Sequence, residues 1–312
     1  MGRGGEAGTG PRELIAGVED AGLRLDAFLA ARGAMASRAA AQRAIEGGLV
    51  VVGGAVRPKN HRVEEGDRVV VEERDAAAGG SEAPADVPFG VVFEDEHLMV
   101  VDKPAGVVTH PAPGHRAVTL AEVLPEGAAV VHRLDKDTSG LLLVARTDEA
   151  RDELQRMMKA REVTREYTAL AEGHLDAESG TIDAPIGRDR SNRTVMSTRT
   201  DRGRDAVTHF EVIERLPRST LLRVRLETGR THQIRAHLAA IGHPVVGDPH
   251  YGGLKSGRRI GLSRQFLHAS KLMFRHPLSG ELLACESKPP VELSHAFDNA
   301  RREPVSGGPD GD

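Results

Sequence analysis

The chain has 312 residues, 39% of them hydrophobic and 28% charged, and a formal net charge of −4. This is the composition of a folded chain long enough for one large domain and a small one, and it excludes a uniformly basic nucleic-acid coat, so any grip on phosphates has to come from local clusters. The single cysteine, Cys285, excludes an intramolecular disulfide and fits a reducing compartment; the opening MGRGGEAGTG has no apolar core of an export signal, and no apolar run reaches membrane-spanning length, so a cytoplasmic protein is expected.

Residues 1–18 begin Gly-rich and polar and are expected to form a disordered tail. A small unit is expected over 19–74. Arg24-Leu25-Asp26-Ala27-Phe28-Leu29 predicts a short helix with Leu25, Phe28 and Leu29 on one face. Ser37 is a candidate cap for a second helix running to Ile45 and stopping at Gly47-Gly48. Leu49–Val52 and Ala55-Val56 flank Gly53-Gly54, a two-residue hairpin signal, and Arg68–Glu72 reads as a closing strand. Two helices followed by short strands, with Arg24-Leu25-Asp26, Ser37-Arg38, Gln42, Ile45 and the Gly48-x-Val50 step, resemble the S4 RNA-binding domain. The usual turn Asn is replaced here by Gly53. The resemblance implies an RNA-facing helical side on which Arg24, Arg32, Arg38 and Arg43, with Lys59 and Arg62, are available for phosphates. Residues 75–86 (DAAAGGSEAPAD) read as a low-complexity linker, and 87–300 as the main domain, followed by a polar tail over 301–312.

The main domain opens with strands at Gly90–Phe93 and Leu98–Val101 about a polar turn, then Lys103-Pro104-Ala105-Gly106 and Val107–Pro111. Its central stretch is His132-Arg133-Leu134-Asp135-Lys136-Asp137-Thr138-Ser139-Gly140, followed by the apolar run Leu141–Ala145. This is a loop that presents side chains and then enters a buried strand. Asp135 stands two residues after Arg133 and one before Lys136, and neighbouring cations favour the ionised carboxylate, a candidate nucleophile or base. Taken alone, an Asp between two cations is more often a turn or solvent residue. The whole string, however, resembles the catalytic motif of the RluA/RluD-type pseudouridine synthases, HRLDxxTSGLLLxA, without a mismatch.

That resemblance implies that Asp135 is the catalytic aspartate and that the substrate is a uridine in folded RNA. It implies that Arg133 fills the gap left when the uridine leaves its stack. The opening segment resembles the family's EDExLxVVxKPxGxxxHP, which sets Lys103 and His110 near the cleft. A helix is expected from Asp148, as its cap, to about Ala160, with Leu154 and Met158 on one face. The strand Arg165–Ala171 resembles the family's REYxAL, in which the Tyr, here Tyr167, stacks on the target base. Residues 187–206 carry six Arg against three Asp and read as a ribbon or arm; with Arg188, Arg190 and Arg193 it is a candidate for gripping phosphates.

Leu222–Glu227 alternates as a half-buried strand and runs into Thr228-Gly229-Arg230-Thr231-His232-Gln233-Ile234-Arg235-Ala236-His237. Ile234, Leu238 and Ile241 mark an amphipathic helix with Thr231 as candidate cap. GRTHQIRxH is similar to the family's third motif. Its second Arg, Arg235, matches the one that pairs with the catalytic carboxylate, while Arg230 is a further RNA-binding candidate. A carboxylate out of water needs such a partner to stay ionised and oriented. His232 and His237 are five apart with no carboxylate between them, so no zinc site is expected. Nothing resembles a phosphate loop or a dinucleotide fingerprint, so no cofactor is expected.

The fold implied is α+β, with a mixed, mainly antiparallel central sheet, flanking helices and a small N-terminal S4-like domain. The function implied is isomerisation of uridine to pseudouridine in a structured loop of large-subunit ribosomal RNA or a pre-ribosomal particle; the absence of long exposed apolar stretches makes a monomer the expectation. Two alternatives from other classes are a non-catalytic RNA-binding or ribosome-assembly factor on the same fold, and a hydrolase using the Asp and several His. The hydrolase lacks an assembled metal set or Ser/His/Asp arrangement.

Overall fold

A computed structural model describes residues 12–35, 38–46, 49–71, 87, 89–111, 117–190 and 195–304. The chain separates into two compact units, Met1–Glu82 and Ala83–Asp312. The expected cap Ser37, the Gly47-Gly48 stop, the linker over 75–86 and the tail beyond 304 lie outside the described residues.

The first unit contains β1 (Arg12–Ile15), α1 (Leu25–Ala31), α2 (Arg38–Glu46), β2 (Val50–Val52), β3 (Ala55–Val56) and β4 (Arg68–Val71). Its antiparallel sheet has the order β1-β4-β2-β3. Leu25, Phe28 and Leu29 are fully buried against Val50, Val52, Val69 and Val71, as the helical spacing predicts. Gly53 and Gly54 both have positive φ, 59° and 80°, the conformation a tight hairpin demands. The expectation of a tail up to residue 18 needs correction. Arg12–Ile15 pair with Arg68–Val71, and Val18–Asp20 form a helical turn. The alternation Arg-Glu-Leu-Ile was too short to register as a strand, and only its partner β4 stabilises it.

The second unit is built on a ten-stranded sheet. Its strands are β5 (Gly90–Glu94), β6 (Leu98–Lys103), β7 (Ala129–Val130), β8 (Ser139–Ala145), β9 (Thr164–Glu172), β10 (Ser179–Asp183), β13 (Val207–Arg215), β14 (Ser219–Leu226), β15 (Leu267–Arg275) and β16 (Leu282–Glu286). The main path runs β10-β13-β14-β9-β15-β8-β6-β5, with β16 on β15 and β7 on β8. A separate two-stranded ribbon joins β11 (Gly187–Arg188) to β12 (Met196–Ser197) within the Arg-rich segment. The helices are α3 (Leu120–Val123), α4 (Asp148–Lys159), α5 (Gln233–Ala240), α6 (Leu254–Arg259) and α7 (Val291–Arg301).

Every residue of β8 is buried, which explains its continuous apolar sequence. Leu141 and Leu143 pack toward α4 with Leu98, Val100, Leu154 and Phe274. Leu142 and Val144 face the opposite layer with Met99, Val101, Ile234 and Leu238. Several expected boundaries move. Thr147, not Asp148, caps α4, its side chain accepting from the Ala150 amide, and Met157 rather than Met158 is the buried partner of Leu154. The cap of α5 is His232 in a left-handed conformation, φ 55°, rather than Thr231. Ile241 ends that helix 41% exposed instead of continuing its buried face. The stretch before Arg264 contains α6.

β15 pairs with β8 in parallel, His268 opposite Ser139 and Ala269 opposite Gly140, while all other pairings of this sheet are antiparallel. The approach is so close that a Cβ on Gly140, whose φ is +111°, would lie 2.3 Å from the Ala269 carbonyl oxygen. Gly140→Ala is therefore expected to cost about 3 kcal/mol or more through strain and overpacking. Thermal unfolding should show it as a fall of about 6–12 °C in Tm; an unchanged Tm would contradict this close approach.

Candidate active site

Asp135 lies on the loop between β7 and β8, and that loop is held by its backbone. The amide and carbonyl of Leu134 both bond Thr109 Oγ1, at 3.2 and 2.8 Å. Lys136 O accepts from the Gly106 amide and from Lys103 Nζ, at 3.0 and 3.1 Å. Arg264 donates to Asp137 O at 2.9 Å and to Ser139 Oγ at 3.2 Å, and Gln265 Nε2 donates to Thr138 Oγ1 at 3.2 Å. Lys103 is fully buried; its ammonium also donates to the carbonyls of Pro104 and Val107, both at 2.8 Å. Burial pushes Lys103 down to about 7, opposed by the charges of Asp135 and Asp137. Main-chain anchors on both sides leave the Asp135 side chain free to be presented. His110, the other residue expected near the cleft, is exposed.

The partner of Asp135 is Arg235, Nη1 to Oδ2 at 3.1 Å. Arg235 is only 3% exposed, and its other edge forms a two-pronged pair with fully buried Asp248, Nε to Oδ2 at 2.6 Å and Nη2 to Oδ1 at 2.9 Å. Burial acts against the guanidinium's charge, but the two carboxylates raise its pKa overall. Its face also lies 5.0 Å from the ring centre of Tyr251. Asp248 Oδ1 accepts from the amides of His250 and Tyr251 at 2.9 and 3.3 Å, so the turn that carries it is shaped by the same carboxylate. Tyr251 Oη donates to Met196 O at 2.9 Å, and burial pushes the phenol up to about 12.

The register of α5 is fixed by two polar residues one turn apart. Gln233 Nε2 donates to Val207 O and Thr208 Oγ1, both at 3.0 Å, and its Oε1 accepts from Thr228 Oγ1 and the Arg230 amide. His237 bonds Thr208 Oγ1 and Ala184 O at 2.8 and 2.9 Å. Arg235 is thus delivered by a helix pinned to β13.

Asp135, Arg235 and Tyr167 all line one cleft of about 500 Å³, with Arg133, Lys159, Arg161, Arg165, Glu227, Arg230 and His232. Tyr167 sits on β9 opposite Ala269 of β15, which in turn pairs with Gly140 of β8. One row across the sheet thereby carries the ring and the end of the Asp135 loop. Tyr167 is 5% exposed; burial raises its pKa, the charge of Arg165 acts against that rise, and that of Asp135 adds to it. His132 Nε2 accepts from the Leu143 amide at 3.2 Å, and because that amide only donates, a neutral ring carries its proton on Nδ1. Burial, and then the charge of Arg165, pushes His132 down to about 3.

Asp135, Arg133, Tyr167, Arg235 and Arg230 therefore meet at one cleft. Of the other candidates described in the same unit, Arg188 and Arg190 do not line it. Arg24 and Arg38 converge on buried Asp26, at 3.1 and 3.3 Å. Arg190 pairs with Asp201 at 2.6 Å, and Arg188 lies on β11. Arg193 and the side chain of Arg43 lie outside the described residues. Sequence reading missed Asp248, Tyr251, Gln233 and Arg165. The signal for the first two was Val-Val-Gly-Asp-Pro-His-Tyr, an apolar run ending in a carboxylate at a turn, which has no cation nearby in sequence to mark it.

Comparison with known proteins identifies the family. The family model described as RNA pseudouridylate synthase matches residues 97–240, and the S4 domain model matches residues 23–69. The chain is 41% identical over 303 residues to an uncharacterized RNA pseudouridine synthase, YlyB, of Bacillus subtilis, covering 93% of this chain and 98% of that one. It is 42% identical over 300 residues to the ribosomal large subunit pseudouridine synthase D of Nitrosomonas europaea, covering 92% and 87%. Among solved structures, human RNA pseudouridylate synthase domain containing 1 superposes with a TM-score of 0.56 at 30% identity, covering 65% of this chain and 84% of that one.

Asp248→Ala leaves a buried guanidinium without its two-pronged partner and should cost about 3–5 kcal/mol, read by urea denaturation; a parent-like midpoint would show that Asp248 does not hold Arg235. For His132 the folded pKa, about 3, lies below the ordinary 6.5, so its contribution to stability is complete above about 6.5 and is lost as pH falls toward 3. Between pH 7 and pH 4 the parent's urea midpoint should fall further than that of His132→Gln. Parallel falls would contradict a neutral buried ring.

Proposed function

Because the chain belongs to the RNA pseudouridylate synthase family, isomerases that act on RNA, we propose that it converts uridine to pseudouridine in a structured loop of large-subunit ribosomal RNA. The observation that carries this reading is the Asp135–Arg235 pair at 3.1 Å on the wall of a nucleotide-sized cleft. The choice of ribosomal RNA is supported by relatives named ribosomal large subunit pseudouridine synthase D, such as that of Nitrosomonas europaea.

In this reading the bond between C1′ and N1 of the uridine breaks, the base turns, C1′ bonds to C5, and the C5 proton is exchanged for one on N1. The reaction is redox-neutral and needs no group donor. Asp135 starts it as nucleophile at C1′ or C6, or as base at C2′. Arg235 keeps Asp135 aimed, since its own orientation is set by Asp248. Tyr167 packs on the base, and its hydroxyl assists removal of the C5 proton. Arg133, exposed on the cleft rim, takes the place of the flipped nucleotide in the RNA stack. The S4 domain adds RNA contacts beyond the cleft, and the protein works as a cytoplasmic monomer.

The test is release of the C5 hydrogen from uridine in unmodified large-subunit ribosomal RNA. Asp135→Asn should reduce release by more than about 10³-fold while RNA binding persists. Tyr167→Phe should reduce it by about 10²-fold, the scale of a lost proton-transfer group. An active Asp135→Asn variant would remove Asp135 from the chemistry. Binding without release by the parent would favour the assembly-factor reading.

A further inference from the structure

Arg165 is a buried cation without a counter-ion among the described residues. It is 6% exposed in the cleft wall, and its nearest acceptor among the described residues is the Glu227 carbonyl oxygen, at 3.5 Å from Nη2. Its Nε is buried and has no partner among the described residues. Neither cleft carboxylate serves it. The Glu227 side chain is bound by Arg161 and by His209, the latter at 2.7 Å, and Asp135 is bound by Arg235. Space for the guanidinium depends on Gly229, where a Cβ would stand 2.8 Å from Arg165 Nη1. An unpaired guanidinium out of water destabilises the free protein, and such a group is retained where a ligand brings the missing charge.

We infer that Arg165 is the seat of a backbone phosphodiester flanking the nucleotide that enters the cleft. The inference rests on the RNA reading above and goes beyond it by fixing where the substrate's own charge sits. A phosphodiester carries a permanent negative charge, matching a permanent positive one, and offers two oxygens to the planar fork of a guanidinium. Arg165 and Tyr167 are two residues apart on β9 and both buried on its cleft side, hence about 7 Å apart along the strand. A base against Tyr167 and an adjoining phosphate at Arg165 thus fit a single strand. Lys159, Arg161 and Arg230 on the same wall make the local potential positive in a protein whose net charge is −4.

The experiment measures binding of an unmodified large-subunit ribosomal RNA transcript as a function of KCl for the parent, Arg165→Gln and Arg165→Lys, with C5-hydrogen release followed in parallel. Arg165→Gln should weaken binding by about 10- to 100-fold, as loss of a charge-assisted hydrogen bond does. Its salt dependence should fall by about 0.7–0.9 of an ion, the signature of one lost phosphate contact. Arg165→Lys should keep the parent's salt dependence. A measurement on the parent alone guards against a misfolded variant: a neutral methylphosphonate at one of the two phosphates flanking the modified uridine should produce the same loss, and Arg165→Gln should add nothing to it. Parent-like affinity and salt dependence in Arg165→Gln would overturn the inference. So would a lower turnover with intact salt dependence, which would assign Arg165 to the charge on the departing base. Absence of release by the parent would strike at the isomerase reading instead, and the salt dependence would still score the phosphate contact.

Discussion

The site depends on one guanidinium held between two carboxylates. Arg235 is almost wholly out of water, and a lone charge there would be untenable. Asp248, itself fully buried, neutralises it and fixes its plane through two parallel bonds. Only one nitrogen is left to face the cleft, and it meets Asp135. The two carboxylates are unequal: the Asp248 side chain has no exposure, whereas that of Asp135 keeps 15%. One anion serves structure and the other remains accessible to a substrate. The surrounding fold secures this asymmetry, through Gln233 and His237 on one side and the turn at His250 and Tyr251 on the other.

The Asp135 loop is constrained in a complementary way. Its anchors bind peptide groups of Leu134, Lys136 and Asp137, and the side chains of Thr138 and Ser139, but among the described residues only Arg235 binds the Asp135 carboxylate. Position is set by the main chain and charge by a single side chain. Substitution of Asp135 therefore leaves the anchors of its loop in place, whereas substitution of Asp248 touches both the buried charge balance and the turn.

The sequence made the central elements legible because their patterns are local. A seven-residue buried strand needs an apolar run, a two-residue hairpin needs Gly53-Gly54, and the string from His132 to Ala145 is long enough to be specific. What escaped was non-local. Asp248 acts on Arg235 thirteen positions away, β1 exists only by virtue of β4, and the lack of a counter-ion at Arg165 among the described residues is a property of the folded cleft that neighbouring residues do not announce. The caps moved for a similar reason. His232 takes a left-handed conformation because Gln233 ties the preceding loop to itself and to β13, a constraint that local cap preferences do not contain.

The single parallel pairing of the large sheet has a consequence for the order of events during synthesis. β15 lies between β8 and β9, the two strands that carry the end of the Asp135 loop and Tyr167, yet it comes from near the C-terminal end of the chain. Arg264, Gln265 and His268, which hold Asp137, Thr138 and Ser139, arrive with it. Until that segment has left the ribosome the middle of the sheet is vacant, and Asp135 and Tyr167 are not yet held across it. Long-range closure of this kind is slow relative to local helix and hairpin formation. The nascent chain thus folds its N-terminal unit well before it assembles a working cleft, and any shortened product ending before β15 is left without one.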